Sequence, residues 1–165
     1  PYTTLFRSPK ASQPVVVSAN QVFLSAGYGM GCLLLEVKAG SDGKLTATEL
    51  WTSMKMKTQF NGPALLNGHL YGLDDGRLAC LDIKNGERLW KEGRFASGQS
   101  LLVDDLVIIQ NESGPVHLCA AKTEGFVELG QIKALSSNWR KLICVAKTSS
   151  NSKIQMNFYS LKKRQ

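Results

Sequence analysis

One stretch of the sequence decides the fold: residues 78–90 read LACLDIKNGERLW. An apolar segment leads into the turn signal Lys84-Asn85-Gly86, and a second short segment ends in Trp90. Asn favours tight turns because its side chain hydrogen-bonds to nearby backbone, and Gly does so because it readily adopts positive φ. Both alternating sets of residues in the first segment are apolar, which predicts a strand that is covered on both faces.

The same unit recurs along the chain on both sides of this stretch. An Asn67-Gly68 dipeptide, the strongest short hairpin signal, precedes it. An earlier unit ends at Trp51, which lies 39 residues before Trp90. No window of the sequence has the apolar spacing of a convincing amphipathic helix.

Two further units are predicted towards the C-terminus. The third matches the repeat through residues 113–129, with Leu129 expected at the position of the Trp, and a degraded fourth covers residues 139–161. A period of about 40 residues with four short strands in each unit is typical of a β-propeller blade. We therefore predict an all-β chain, a partial β-propeller of about three to four four-stranded antiparallel blades.

This repeat resembles the PQQ-like, quinoprotein-type propeller repeat, whose pattern is L-x-A-L-D-x-x-T-G-x-x-x-W. Residues 78–90 depart from that pattern at Cys80, where the family has Ala, and at Asn85, where it has Thr. The WD40 repeat would instead end in Trp-Asp, and no Trp of this sequence precedes an Asp. The resemblance covers residues 13–135 well and residues 136–165 poorly. Because complete propellers of this type have seven or eight blades, the resemblance implies a fragment.

Four residues of the repeat are expected to be structural. Trp51 and Trp90 are large enough to fill the space between adjacent blades, and we predict that both belong to the inter-blade core. Asp82 and Gly86 are expected to form the turn before the last strand of their blade.

The net charge of +7 is confined to one end of the chain. Residues 136–165 hold seven Lys or Arg and no Asp or Glu, whereas residues 1–135 hold 13 of each sign. Because a nucleic-acid site usually spreads basic residues over a folded surface, we predict no nucleic-acid partner. Residues 136–165 are interpreted as a degraded fourth blade or a basic C-terminal segment. No apolar run approaches the roughly 20 residues that span a bilayer, so no membrane span is predicted.

The first residues have the character of a sequencing artefact. Residues 1–8 read PYTTLFRS, which matches the translation of a widely used sequencing-library adaptor. We expect them not to belong to the biological protein, and we expect its true N-terminus, with any signal peptide, to be missing.

The most unusual local string is GYGMGC at residues 27–32. A dinucleotide-binding fingerprint would need a helix after the glycines, whereas strand-like residues follow here. Three alternating glycines indicate a hairpin loop, which in a propeller lies at one end of the blades. The candidate ligand or partner loop consists of Gly27, Tyr28, Gly29 and Gly31; a purely structural loop is the alternative.

No catalytic residue and no metal site are predicted. His69 and His117 fall in different units, and the acidic residues at 74–75 and 104–105 are expected in ordinary turns. The cysteines lack metal-ligand spacing and are expected to be small buried apolar residues: Cys32, Cys80, Cys119 and Cys144. The resemblance implies that a quinoprotein dehydrogenase would need Ca²⁺ ligands, a catalytic Asp, a ring-stacking Trp and often adjacent cysteines, and this set is not found.

We therefore predict a non-catalytic β-propeller scaffold or binding module, with no PQQ cofactor held by these blades. The resemblance implies an exported bacterial protein, periplasmic or extracellular, whose nearest partners are the remaining blades of a full-length propeller. The alternative is a fragment of a PQQ-dependent dehydrogenase whose catalytic residues lie in other blades. Terminal blade faces without a neighbour are expected to favour self-association.

Overall fold

The computed structural model describes residues 12–59, 62–133, 143–148 and 154–159. These residues form three four-stranded sheets and one two-stranded sheet, all antiparallel. The described residues contain no helix, and hence none that is long and apolar enough to cross a membrane.

Each four-stranded sheet is one blade, and its strands lie side by side in chain order. Blade 1 contains β1 (Val15–Ser18), β2 (Gln21–Ala26), β3 (Gly31–Ala39) and β4 (Leu45–Ser53). Blade 2 contains β5 (Ala64–Leu66), β6 (His69–Asp74), β7 (Arg77–Asp82) and β8 (Arg88–Glu92). Blade 3 contains β9 (Gln99–Val103), β10 (Leu106–Gln110), β11 (Pro115–Ala120) and β12 (Val127–Lys133).

Tight turns join the strands where the sequence predicts them. Asn67 and Gly68 have φ of 48° and 78° between β5 and β6, and Asp75 and Gly76 have φ of 47° and 76° between β6 and β7. Two consecutive positive φ angles give a type I′ turn, whose twist matches that of the flanking strands.

Every blade has a β-bulge at the same place in its last strand. The extra residues are Leu50, Leu89 and Leu129, because pairing shifts between the positions on either side of each. All three leucines are exposed. The bulge aligns Leu129 with the other two leucines, so Gly130, not Leu129, occupies the position of Trp51 and Trp90. The sequence alignment of the third unit is therefore wrong by one residue at this strand.

Blade 2 is buried on both faces, as its apolar pattern predicts. One face carries Leu70, Ala79 and Leu81 and packs against blade 1; we call it the leading face. The opposite face, here the trailing face, carries Tyr71 and Cys80 and packs against blade 3. Each of these five side chains is at most 3% exposed. At both junctions, the trailing face of one blade therefore packs against the leading face of the next blade.

These sheets confirm the predicted all-β partial propeller with three four-stranded blades. Within the predicted fourth unit, β13 (Ile143–Thr148) and β14 (Ile154–Tyr159) form a two-stranded sheet. The rest of that unit, and residues 1–8, lie outside the described residues.

Candidate functional site

The junction between blades 1 and 2 is built around Trp51. Its indole Nε1–H donates to the carbonyl oxygen of Ile83 in blade 2 at 3.0 Å. Its ring is tilted against Phe23 with centroids 6.0 Å apart. Gly86 lies beneath the ring, where a Cβ would be 2.7 Å from the nearest ring atoms.

Trp90 makes the equivalent contact one blade further along. Its Nε1–H donates to the carbonyl oxygen of Lys122 at 2.9 Å, and its ring packs against Tyr71 and Phe126 at 6.3 and 6.2 Å. Both tryptophans are partly buried. Their N–H groups and ring faces are used between blades, so neither presents a free ring for a ligand.

The turn after β7 is shaped by Asp82 and Gly86. The Asp82 carboxylate Oδ1 accepts a hydrogen bond from the backbone N–H of Lys84 at 2.8 Å. The backbone carbonyl oxygen of Asp82 accepts a hydrogen bond from the backbone N–H of Gly86 at 3.0 Å. Gly86 has a φ of 70°, in the left-handed region that glycine adopts without steric cost. Asp82 and Gly86 therefore lie next to the Trp51 junction.

A charged cluster between blades 1 and 2 was missed by sequence reasoning. Asp74, expected in an ordinary turn, ends β6 and its side chain is fully buried. Its carboxylate accepts the backbone N–H of Lys57 at 2.9 Å. Its other partners are the side chains of Lys57 at 3.4 Å, Arg88 at 3.0 Å and Lys91 at 2.7 Å. A buried carboxylate needs such partners because burial removes its hydration.

Lys57 belongs to the link between the two blades and also binds the neighbouring Asp75 at 2.8 Å. The hydrogen bond to Asp75, followed by the nearby charge of Asp74, raises the pKa of Lys57 above its ordinary value. The cluster therefore fastens the link that follows blade 1 to blade 2.

The hairpin between β2 and β3 contains the candidate loop. The carbonyl oxygen of Gly27 accepts the N–H of Met30 at 3.2 Å, while Tyr28 and Gly29 have φ of 57° and 76°. Gly31 has a φ of 80°, and a Cβ there would be 2.5 Å from the carbonyl oxygen of Ser53. Tyr28 is 57% exposed, in a backbone conformation that costs a bulky residue about 1–2 kcal/mol.

An open cavity of about 610 Å³ lies beside this loop on the leading face of blade 1. Its walls include Met30 from the loop, Leu24 and Leu33 from the sheet, and Met54 after β4. Glu49 is the only charged residue among the described residues that line it. We call this cavity the blade 1 groove.

The cysteines and histidines do not form a common site among the described residues. Cys32, Cys80 and Cys119 are buried free thiols, and His69 is half-buried in β6. His117 is only 9% exposed; its Nδ1 is 2.7 Å from Glu128 and its ring meets Phe95 edge-on. No group of three or more His, Cys, Asp or Glu in the described part of the chain is arranged to hold a metal ion.

A family model decides the relationship of the chain to known proteins. The PQQ_2 family model, described as outer membrane protein assembly factor BamB, matches residues 6–92, which is more than half of the 165 residues. The chain belongs to this family. The predicted resemblance to the PQQ-like propeller repeat is thereby confirmed.

A solved structure supports the same fold. The chain is similar to the crystal structure of BamB from Moraxella catarrhalis, with a TM-score of 0.52 and 15% sequence identity. The similarity covers 81% of this chain and 37% of that protein, so the chain spans little more than a third of that relative's length. At this identity the similarity shows the propeller fold. A search of curated proteins found no match.

The residues that the structure describes in this BamB-like chain do not fit a quinone and Ca²⁺ site of the dehydrogenase type. The rings of Trp51 and Trp90 are held between blades by aromatic contacts and hydrogen bonds. The most buried carboxylate, Asp74, is already surrounded by three cationic side chains, which oppose a bound cation. Cys32 and Cys80 lie in different blades, and no two cysteines are adjacent in sequence.

Proposed function

We propose that the chain is a non-catalytic propeller scaffold that presents the β2–β3 loop to a protein partner. One observation carries the proposal: Tyr28 is 57% exposed at the tip of this loop, and its φ of 57° lies in the left-handed region. Backbone strain of this kind is concentrated at ligand and partner sites. Tyr is also enriched at interfaces, because it offers a large contact area with few rotatable bonds.

We further propose that the protein is exported and acts in a bacterial envelope. The family description as an outer membrane protein assembly factor supports this location and a partner among envelope assembly proteins. The proposal includes no PQQ, because Trp51 and Trp90 are occupied by inter-blade contacts and Asp74 is paired with three cationic side chains.

Photo-crosslinking tests the partner site. A benzoylphenylalanine at Tyr28 of the full chain, expressed in the envelope of a Gram-negative host, is expected to form adducts with outer-membrane assembly proteins. The control places the same group at Lys84, an exposed residue in the β7–β8 turn of blade 2. This turn lies at the opposite end of the strands from the β2–β3 loop. Equal adduct yields at Tyr28 and Lys84 would contradict the proposal.

Dye-linked oxidation of alcohols and sugars tests whether these blades are themselves catalytic. The full chain mixed with PQQ and Ca²⁺ is expected to give no saturable turnover. Turnover that disappears when Ca²⁺ is chelated would overturn the non-catalytic proposal.

A further inference from the structure

We propose that Thr58 and Gln59 are positioning residues, which hold the β2–β3 loop in the conformation that presents Tyr28. Both belong to the link between blades 1 and 2 and lie outside the loop itself. The inference rests on the proposed function, because this loop is the partner site proposed above. It does not depend on the open face of blade 1, since the loop and the link both lie within the described residues.

A buried hydroxyl ties the end of β2 to the link. Thr58 is fully buried, and its hydroxyl forms a hydrogen bond of 2.6 Å with the hydroxyl of Ser25. The backbone N–H of Thr58 also donates to the Ser25 hydroxyl at 3.1 Å. The hydroxyl of Ser12 lies 2.7 Å from the Thr58 hydroxyl on its other side. Buried hydroxyls require such partners, so Thr58 fixes Ser25, two residues before the loop begins at Gly27.

The first glycine of the loop packs directly on the link. Gly27 is buried, and a Cβ there would be 2.7 Å from Cγ and 3.4 Å from Cα of Gln59. The Gln59 side chain is itself held, because its Oε1 accepts a hydrogen bond from the Ser97 hydroxyl at 3.2 Å. Glycine at position 27 therefore allows the loop to approach a fixed surface closely.

The other end of the loop is anchored where the link begins. Gly31 lies against the carbonyl oxygen of Ser53, the last residue of β4. Tyr28 stands between these two anchored ends with its positive φ. A strained backbone conformation persists only when the surrounding structure enforces it. The contacts at Gly27 and Gly31 supply this enforcement for Tyr28.

Blade 2 holds its corresponding turn in a different way. The N–H of Phe95, in the link after blade 2, donates to the carbonyl oxygen of Gly76 at 2.7 Å. The position that corresponds to Ser25 is Leu73, which has no hydroxyl. The loop of blade 1 spans residues 27–30, whereas the turn of blade 2 spans only residues 75–76. The hydroxyl contact thus accompanies the longer loop.

An anchored loop lowers the cost of binding a partner. A segment that is already ordered in its bound conformation loses less conformational entropy when the complex forms. The link that anchors the loop is in turn attached to blade 2, because Lys57, next to Thr58, pairs with Asp74 and Asp75. The conformation of the loop in blade 1 therefore depends on a segment that blade 2 holds in place.

Amide hydrogen exchange of Thr58→Val in the full chain tests the inference without any partner. The N–H of Met30, which donates to the carbonyl oxygen of Gly27, reports on the loop. We expect it to exchange at least about fivefold faster in Thr58→Val, because this isosteric change removes the hydroxyl. Thr58→Ser keeps the hydroxyl and is expected to stay within about twofold. The matched control is Thr48→Val at an exposed position of β4, also expected within about twofold.

A pair of steric variants tests the contact between Gly27 and Gln59 independently. Gly27→Ala is expected to accelerate the exchange of Met30 at least about fivefold, because the methyl group displaces the loop from Gln59. Adding Gln59→Ala removes the opposing Cγ and is expected to restore most of the slow exchange. An unchanged Met30 rate in Thr58→Val and Gly27→Ala overturns the inference. An equal acceleration throughout β6 and β7 also overturns it, since it would show a general loss of stability.

Photo-crosslinking from position 28 measures the presentation of the loop to the partner. Thr58→Val is expected to lower the adduct yield at least about threefold, and Thr58→Ser is expected to retain it. A full yield in Thr58→Val, despite faster exchange of Met30, would overturn the inference. Equal yields at Tyr28 and Lys84 in the unaltered chain would contradict the proposed function instead, and the exchange experiments would still decide whether Thr58 and Gln59 hold the loop.

Discussion

The ring of Trp51 lies directly over Gly86, and a Cβ on this glycine would be 2.7 Å from the ring. The contact joins the end of blade 1 to a turn of blade 2, and a hydrogen bond from Trp51 to Ile83 completes it. The turn motif of one blade is therefore also the docking surface for the tryptophan of the preceding blade.

Gly86→Ala is expected to lower the free energy of unfolding by about 2 kcal/mol or more, measured by urea denaturation. The added methyl group meets the Trp51 ring, and the φ of 70° is strained for alanine. Gly125, 39 residues later, has nothing within 4 Å of a Cβ position. Gly125→Ala is the control and is expected to change stability by less than about 0.5 kcal/mol; equal losses in the two variants would contradict this account.

Asp74→Asn is expected to destabilise the chain by about 3 kcal/mol, because it leaves three cations without their buried anion. Asp75→Asn, one residue away, removes a partly exposed pairing with Lys57. It is expected to cost less than about 1 kcal/mol. Denaturation at low and high salt measures the free energy of unfolding of both variants. A smaller loss for Asp74 than for Asp75 would show that the cluster does not join the blades.

The buried thiols predict a loss of stability at alkaline pH. Burial raises the pKa of Cys32 and Cys80 to about 11 and that of Cys119 to about 12, from 9.0. A group whose pKa is raised by folding contributes stability that is fully present below its unfolded value. We therefore expect the thiol contribution to persist up to about pH 9 and to be lost as the pH rises through 11 to 12.

Thiol reactivity provides a second readout of the same burial. In a Cys144→Ser variant at pH 8, the three remaining thiols are expected to react with a disulfide reagent only as fast as the protein opens. Denaturant is expected to restore rapid reaction of all three. Rapid reaction of the folded protein at pH 8 would contradict the buried placement of these cysteines.

The blades could be predicted from sequence because their determinants are local. Asn67-Gly68 forms its turn from its own φ preferences, and the apolar alternation around Cys80 reflects burial on both faces. Leu129 was wrongly assigned to the position of the Trp because one residue more separates Trp90 from Gly130 than separates Trp51 from Trp90. A spacing argument does not detect a shift of one residue.

The buried position of Asp74 could not be predicted from the local sequence pattern around it. The string Asp74-Asp75-Gly76 has the composition of an exposed turn, yet two of the Asp74 partners come from β8 and one from the link between blades. One signal was present: Asp74 continues the alternation of Leu70 and Gly72, which places it on the leading face of blade 2. The blade 1 groove depends on how much of the leading face of blade 1 is covered by a neighbour. No local pattern in the sequence indicates the extent of this cover.

Hydrogen–deuterium exchange of the full chain tests most directly the claim that blade 2 is covered by a blade on each side. The account predicts the slowest exchange in β6 and β7, whose residues are buried on both faces. It predicts faster exchange in β2 and β3, whose leading face is open, and the fastest in the outer strand β12, which is exposed throughout. Exchange in β6 and β7 as fast as in β2 and β3 would contradict the stacking of blades that the Trp51 and Trp90 junctions define.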